Sequence, residues 1–216
     1  LGASALAAVG ATGSINFMII GFCTGACSGF AIPVAQKFGA GDYKGMRKFV
    51  ANAGWLSAVF AVVMTTIVGL LCMNILQWMN TPEDIIQGAY DYIFVIFLGI
   101  IAQMGYNFVC GVLRALGDSV SPLLFLVFST LLNVGLDILF LVPFDWGPMG
   151  AAVATILAQM ISVVVSFVYT LCRYPDLRLH REDFCVGWRS VLAHLRQGVP
   201  LGLQFSILAV GIIVMQ

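Results

Sequence analysis

The chain has 216 residues, of which 61% are hydrophobic and 9% charged, and its ten basic residues balance its ten acidic residues. A soluble domain is nearer half apolar and a quarter charged, so there are too few polar side chains here to cover a water-facing globule. This composition excludes an ordinary cytosolic enzyme and a disordered regulator. It also excludes a nucleic-acid-binding protein, because there is no basic excess.

Six apolar segments follow one another along the chain, each separated from the next by a polar connector. They cover residues 4–34, 49–79, 85–113, 120–142, 149–172 and 199–216. They are too long and too continuous for membrane strands, which are about 9–11 alternating residues long. About 20 apolar residues form a membrane-spanning helix. The sequence therefore predicts an all-α, multi-pass membrane protein.

The two ends of the chain suggest a longer protein. The sequence has no initiator Met and no secretory signal, and it stops inside an apolar run at Gln216. We therefore expect a fragment of a larger membrane protein.

The basic residues predict the orientation in the membrane. All ten lie in the first, third and fifth connectors, and the second and fourth connectors hold none. They are Lys37, Lys44, Arg47, Lys48, Arg114, Arg173, Arg178, Arg181, Arg189 and Arg196. By the positive-inside rule the odd connectors are cytoplasmic and Leu1 is outside. An outside start without a signal peptide requires a preceding helix.

The fifth connector, residues 173–198, is unusually long. Polar residues alternate there with apolar ones from Arg178 to Arg196, which favours an amphipathic helix on the inner membrane face. Such a connector commonly separates two halves of a transporter. We therefore expect a partial first lobe over residues 1–172, a linker over 173–198 and the truncated start of a second lobe over 199–216. The only histidines, His180 and His194, are expected to be solvated.

Three glycines, Gly21, Gly25 and Gly29, recur every four residues in the first segment and share one helical face. Small residues allow helix backbones to approach closely in lipid. The pattern predicts helix packing inside one bundle, with a dimer seam as the alternative.

Asp137 is the most informative residue. It lies in the fourth segment, and no segment contains a Lys or Arg that could pair with it. A charge near the middle of a bilayer costs at least about 2.5–3.5 kcal/mol on insertion scales, and it usually marks an ion or proton path. The alternative is that Asp137 lies close enough to the outer interface to be hydrated.

Other oxygen-bearing side chains lie in the same set of segments. Asn133 precedes Asp137 by one helical turn, Asn107 lies in the third segment, and Thr155 and Gln159 lie one turn apart in the fifth. Oxygen ligands suit a hard cation such as Na⁺. A lone desolvated acid can instead carry a proton. Thr155 could also simply bond to its own helix. No catalytic triad, nucleotide-binding loop or further metal motif is present, so we expect no enzyme activity and no other cofactor.

These residues together resemble a known family, the multidrug and toxic compound extrusion (MATE) transporters. The matching motifs occur in order along the chain. They are LAAVG at 6–10, AQKFGAG at 35–41, RALGD at 114–118, Asn133 with Asp137, GPMGAAVAT at 147–155 followed by Gln159, and GVP at 198–200.

The resemblance implies a twelve-helix, two-lobe fold, of which this chain would cover helices two to six and the start of helix seven. It implies a monomeric antiporter in the bacterial inner membrane. Such an antiporter exports amphipathic, often cationic, drugs in exchange for Na⁺ or H⁺. The family's coupling site carries onto Asp137, Asn133, Asn107 and Thr155, and the acid on helix one would lie outside this chain. The alternatives are a lipid-linked oligosaccharide flippase of the same superfamily and a seven-helix receptor or channel.

Overall fold

The computed structural model of the protein describes residues 3–78, 81–144, 146–177, 181–184 and 187–215. These residues form seven α-helices and two short 3₁₀ segments. The α-helices are α1 (Ala3–Gly39), α2 (Tyr43–Trp78), α3 (Glu83–Leu98), α4 (Ile100–Ala115), α5 (Val120–Leu141), α6 (Gly147–Arg173) and α7 (Trp188–Met215). The 3₁₀ segments are Pro175–Leu177 and Arg181–Phe184.

Five helical stretches among the described residues are long and apolar enough to cross a membrane. The stretches are Ile15–Gly39, Tyr43–Trp78, Ile85–Ala115, Val120–Leu141 and Gly147–Arg173. A helix pairs its own backbone N–H and C=O groups with each other, and this is necessary in a membrane because lipid offers them no hydrogen-bond partners. The predicted all-α membrane fold is thereby confirmed.

The third apolar segment is two helices that meet at Gly99. The N–H of Gly99 donates to the carbonyl oxygens of Val95 and Ile96, at 3.2 and 3.0 Å, and its own carbonyl accepts from Gln103 at 2.9 Å. Because the hydrogen bonds continue through the junction, α3 and α4 cross the membrane as one unit. A side chain at position 99 would lie 2.7 Å from Ile156 of α6, so the glycine permits this close approach.

The first connector is shorter than the sequence suggests. Only residues 40–42 of the connector between residues 34 and 49 lie outside a helix. Gly41 adopts φ of +70°, a conformation that glycine tolerates and other residues avoid, and this allows a tight reversal. Asp42 then accepts the backbone N–H of Gly45 at 2.8 Å. That bond, followed by the one from Lys37, lowers the pKa of the Asp42 carboxyl.

The three basic connectors meet at one end of the bundle, which we call the basic end. Tyr174, at the end of α6, donates to Asp118 in the α4–α5 connector at 2.9 Å. Arg47 of α2 lies 3.5 Å from Asp183 in the α6–α7 connector. Burial acts to raise the pKa of Asp118, but hydrogen bonds from Ser121 and Tyr174 outweigh it and leave the pKa lowered. Polar contacts thus fasten these connectors to one another.

The expected amphipathic helix over residues 178–196 is wrong in extent. Residues 178–180 lie outside the described residues, and residues 181–184 form a 3₁₀ turn. The regular helix begins only at Trp188, and it continues without a break through Pro200 to Met215. The helix therefore crosses the boundary at residue 199 that the sequence suggests between linker and second lobe.

His194 is fully buried, which corrects the expectation that it is solvated. Its Nδ1 lies 2.9 Å from the carbonyl oxygen of Phe30, so in the neutral ring this nitrogen donates. Its ring also packs against those of Phe30 and Phe49. Burial lowers the pKa of His194, while the backbone oxygens of Phe30 and Phe49 act in the opposite direction. The other histidine, His180, lies outside the described residues.

Helix α7 lies along the glycine face of α1. A methyl group at Gly25 would lie 2.7 Å from the carbonyl oxygen of Leu201 and 2.9 Å from Cα of Gly202. A methyl group at Gly29 would lie 2.6 Å from the carbonyl oxygen of Gln197. Real side chains do not fit at such distances. The three glycines predicted to pack thus face α7, and the two helices are in contact through their backbones.

Candidate functional site

Asp137 lies near the end of α5 that is opposite the basic end. Helix α5 is mostly exposed: it packs on α6 and, to a smaller extent, on α4. The Asp137 side chain is only half-buried, but its Oδ1 is buried and has no hydrogen-bond partner among the described residues. An orphaned buried acceptor of this kind is costly, and native structures contain few of them. The oxygen is therefore available to a cation or to a proton.

Asn133 and Thr155 connect α5 to α6. Asn133 Nδ2 donates to Thr155 Oγ1 at 3.3 Å. The same hydroxyl donates to the carbonyl oxygen of Ala151 on its own helix at 2.9 Å. Thr155 therefore makes both the bond to its own helix and a bond to the predicted site. Asn133 lies one turn from Asp137, so these three residues form one group at the α5–α6 contact.

Asn107 does not hydrogen-bond to that group. Its Nδ2 donates to the carbonyl oxygen of Gln103 at 2.9 Å and lies 3.5 Å from Thr24 Oγ1 of α1. Asn107 lies where α4 packs on α1, so its neighbour is Thr24 rather than a residue of α5. The structure thus brings together three of the four side chains predicted from the sequence. It gives the fourth a partner, Thr24, that the sequence did not indicate.

A cavity of about 230 Å³ opens between α1, α3, α4 and α6. We call it the polar cleft, because five polar side chains line it together with apolar residues. The polar residues are Asn16, Tyr92, Gln103, Thr155 and Gln159. Thr155 is the member that also belongs to the Asn133–Asp137 group. The cleft therefore adjoins that group.

Two more orphaned oxygens belong to residues of this cleft. Asn16 Oδ1 and Gln159 Oε1 are both buried, and neither has a hydrogen-bond partner among the described residues. Thr155 lines the cleft and accepts a hydrogen bond from Asn133, so the cleft and the Asn133–Asp137 group adjoin at Thr155. The described residues that line the cleft include no Lys or Arg.

Asn16, Tyr92 and Gln103 were not singled out from the sequence. Gln103 lies one helical turn before Asn107, so a search of α4 for polar residues on one face could have found it. Tyr92 lies near the start of the third apolar segment, where aromatic residues are common in membrane proteins, so the sequence does not distinguish it. Asn16 stands alone in an apolar run, and this is the signal that could have identified it.

Two larger cavities, of about 550 and 520 Å³, lie along α2, α4 and α6. Apolar side chains line them almost throughout, and the described residues that line them include no charged one. Their lining suits hydrocarbon, and none of the described residues in it supplies the charge that would attract an ion. The chemistry of the described residues is therefore concentrated at Asp137 and the polar cleft.

Comparison with known proteins gives consistent results. The MatE family model matches residues 1–139. The probable multidrug resistance protein YpnP of Bacillus subtilis (strain 168) is 33% identical over 219 residues, which cover 98% of this chain and 47% of YpnP. The chain thus spans about half the length of the curated relatives that it matches.

Two solved structures of a multidrug resistance MATE family transporter of the MOP superfamily have the same fold. The inward-facing one matches with a TM-score of 0.90 and 25% identity, over 97% of this chain and 48% of that chain. The outward-facing one matches with a TM-score of 0.87 and 26% identity, over 95% and 46%. The family model, the relatives and the fold therefore agree: the chain belongs to the MatE family of membrane transporters.

Proposed function

We propose that the complete protein exports amphipathic, often cationic, organic compounds in exchange for Na⁺ or H⁺. The observation that carries this proposal is the buried Asp137 oxygen without a hydrogen-bond partner, beside Asn133 and Thr155. An acid inside a membrane helix is energetically costly, and such residues usually serve in ion or proton transport. The name of the relative YpnP supports drugs as the class of compound.

The proposed coupling follows from differential binding. An ion shifts the balance between inward- and outward-facing states only by its difference in affinity for them. Asp137 supplies the charge that either ion requires, and Asn133 and Thr155 supply neutral oxygens next to it. Na⁺ would use all three as ligands, whereas a proton would need only the carboxylate. Asn107 has a different role in this proposal: its side chain bonds to the Gln103 carbonyl oxygen of α4 and to Thr24, and so holds α4 against α1.

The polar cleft is where we place the polar part of the transported compound. The orphaned oxygens of Asn16 and Gln159 accept hydrogen bonds, which suits an ammonium or hydroxyl group. A lipid-linked oligosaccharide flippase, the alternative considered from the sequence, would need cationic side chains to bind pyrophosphate. The cleft has none among its lining residues, and the relatives lend that alternative no support.

The test uses the full-length protein reconstituted in liposomes. Ethidium movement is measured while a Na⁺ gradient and a proton gradient are imposed separately. We expect ethidium to move against its own gradient with one of the two, and to stop when that gradient is dissipated. Downhill leak that ignores both gradients would indicate a channel, and binding without any flux would indicate a receptor.

A further inference from the structure

Helices α1 and α7 pack antiparallel along most of the length of α7. Phe205 lies opposite Gly21, Gly202 opposite Gly25 and Gly198 opposite Gly29. We call this contact the α1–α7 seam. Its backbones are so close that Gly198 and Gly202 lie directly against Phe30 and Phe22 of α1. A seam this close cannot slide or rotate without steric clashes.

Polar contacts fasten the seam at both ends. At the basic end, His194 Nδ1 lies 2.9 Å from the carbonyl oxygen of Phe30. Toward the opposite end, Ser206 Oγ lies 3.4 Å from the carbonyl oxygen of Met18. A third contact joins α7 to α2, where Asn52 Nδ2 donates to Ser190 Oγ at 3.2 Å. Helix α7 is therefore held by two helices of the lobe.

The chain aligns with both states of a related transporter. The chain matches the inward-facing structure over 97% of its length and the outward-facing one over 95%. Leaving out 5% of 216 residues removes about 11, which is fewer than the 28 residues of α7. Most of α7 is thus included in both superpositions, with TM-scores of 0.90 and 0.87.

We propose that the α1–α7 seam stays closed throughout the transport cycle. The first part of α7, up to Phe205, then moves as one body with α1 and α2. The change in orientation between the two halves of the complete transporter occurs beyond the seam rather than in the connector 174–187. This inference rests on the proposed alternation between inward- and outward-facing states.

A disulfide across the seam tests the proposal. A Cβ atom at position 21 would lie 3.9 Å from Cβ of Phe205, within the range of about 3.5–4.5 Å that disulfides require. We therefore choose Gly21→Cys with Phe205→Cys in a full-length protein without other cysteines. Phe205 is exposed enough for its replacement to be tolerated. The control pair is Gly13→Cys with Phe205→Cys, because position 13 has no neighbour within 4 Å.

The first readout is cross-linking in membranes. We expect the 21–205 pair to oxidise nearly completely with and without an imposed ion gradient, and the 13–205 pair to stay reduced. A yield that changes with the gradient, or no cross-link at all, would contradict a closed seam. This readout does not depend on export, so it stands even if the proposed function fails.

The second readout is ethidium efflux. The oxidised 21–205 protein should export within about two-fold of the rate that the same protein shows after reduction. A tenfold loss on oxidation that reduction restores would overturn the proposal, because α1 and α7 would then have to separate during the cycle. If the reduced double variant exports no ethidium while wild type does, the cross-linking yield decides whether the seam stays closed. An equal yield with and without the gradient supports a closed seam, and a yield that changes contradicts it.

Discussion

Asn133 Nδ2 donates to Thr155 Oγ1 across the α5–α6 contact at 3.3 Å, one helical turn from Asp137. This bond leaves the oxygen of the Asn133 side chain free to face an ion. It also makes the two residues a single unit, since removing either side chain breaks this one hydrogen bond, although Thr155 keeps its bond to the carbonyl oxygen of Ala151. Asn107, whose hydrogen bonds go to Gln103 and Thr24, stands outside that unit.

Double substitution should reveal this unit. We expect Asn133→Ala and Thr155→Val each to slow gradient-driven ethidium efflux about five-fold, since a typical hydrogen bond contributes about 1 kcal/mol. The double variant should be little slower than the worse single variant, because both changes remove the same contact. Combining Asn107→Ala with Asn133→Ala should instead multiply the two losses. Fully multiplicative losses for Asn133 and Thr155 would show that they act separately.

Glycine replacements should have opposite effects at two positions. Gly25→Ala places a methyl group against the Leu201 and Gly202 backbones, which should destabilise the fold by about 1–3 kcal/mol. Gly69→Ala meets only Phe94 at 3.8 Å, and a helix gains about 0.5–1 kcal/mol from such a change. Gly25→Leu should destabilise the fold more than Gly25→Ala does, and more than Gly69→Leu does. Thermal unfolding in detergent measures all four, and equal midpoints at the two sites would disprove close packing at Gly25.

His194 should make stability depend on pH. Burial lowers its pKa in the folded state, so the unfolded chain binds its proton first as the pH falls. The contribution of neutral His194 to the free energy of unfolding is therefore complete above the pKa of about 6.5 that histidine has in the unfolded chain. Below that pH the contribution declines, by at most about 1.4 kcal/mol per pH unit. The unfolding midpoint of His194→Gln, measured from pH 8 to 5, should decline less than that of wild type. His180→Gln is the control, and a decline unchanged in His194→Gln would rule His194 out.

The orientation can be tested with impermeant thiol reagents on intact cells. The test uses a full-length protein without other cysteines. Lys44→Cys and Arg189→Cys are exposed positions at the basic end, which we expect to face the cytoplasm. Because the reagents cannot cross the membrane, these two cysteines should not be labelled. Glu83→Cys and Pro143→Cys are exposed at the other end and should react. Labelling of Arg189→Cys from outside would reverse the proposed topology, since the basic residues were its sole basis.

The spans could be predicted from the sequence because length and apolar continuity alone determine a membrane helix. Asp137 and Asn133 could be identified for a similar reason: a polar residue in lipid is conspicuous. The pairing of Asn107 could not be predicted, since it depends on how far α4 is rotated against α1. Similarly, predicting the polar cleft requires knowing how far along the membrane normal each of four helices lies relative to the others. The spacing of residues in the sequence does not give that information.

The linker shows a different limit. The sequence favoured a solvated His194 because this residue lies in the long connector, between Arg189 and Arg196. Burial of His194 depends on the Phe30 carbonyl oxygen of α1, 164 residues away in the chain. The packing of α7 on the α1 glycines is equally non-local. The Gly-x-x-x-Gly spacing predicted that a helix would pack there, but it could not name the partner.

The central claim is that Asp137 couples export to an ion gradient, and Asp137→Asn in the full-length protein tests it most directly. The substitution keeps the shape of the side chain and removes the charge that either ion needs. Membrane insertion should be intact or improved, because a buried charge is gone. We expect ethidium efflux driven by a separately imposed Na⁺ or proton gradient to be abolished. Near-normal, gradient-dependent efflux by Asp137→Asn would contradict the account and place the coupling elsewhere in the complete transporter.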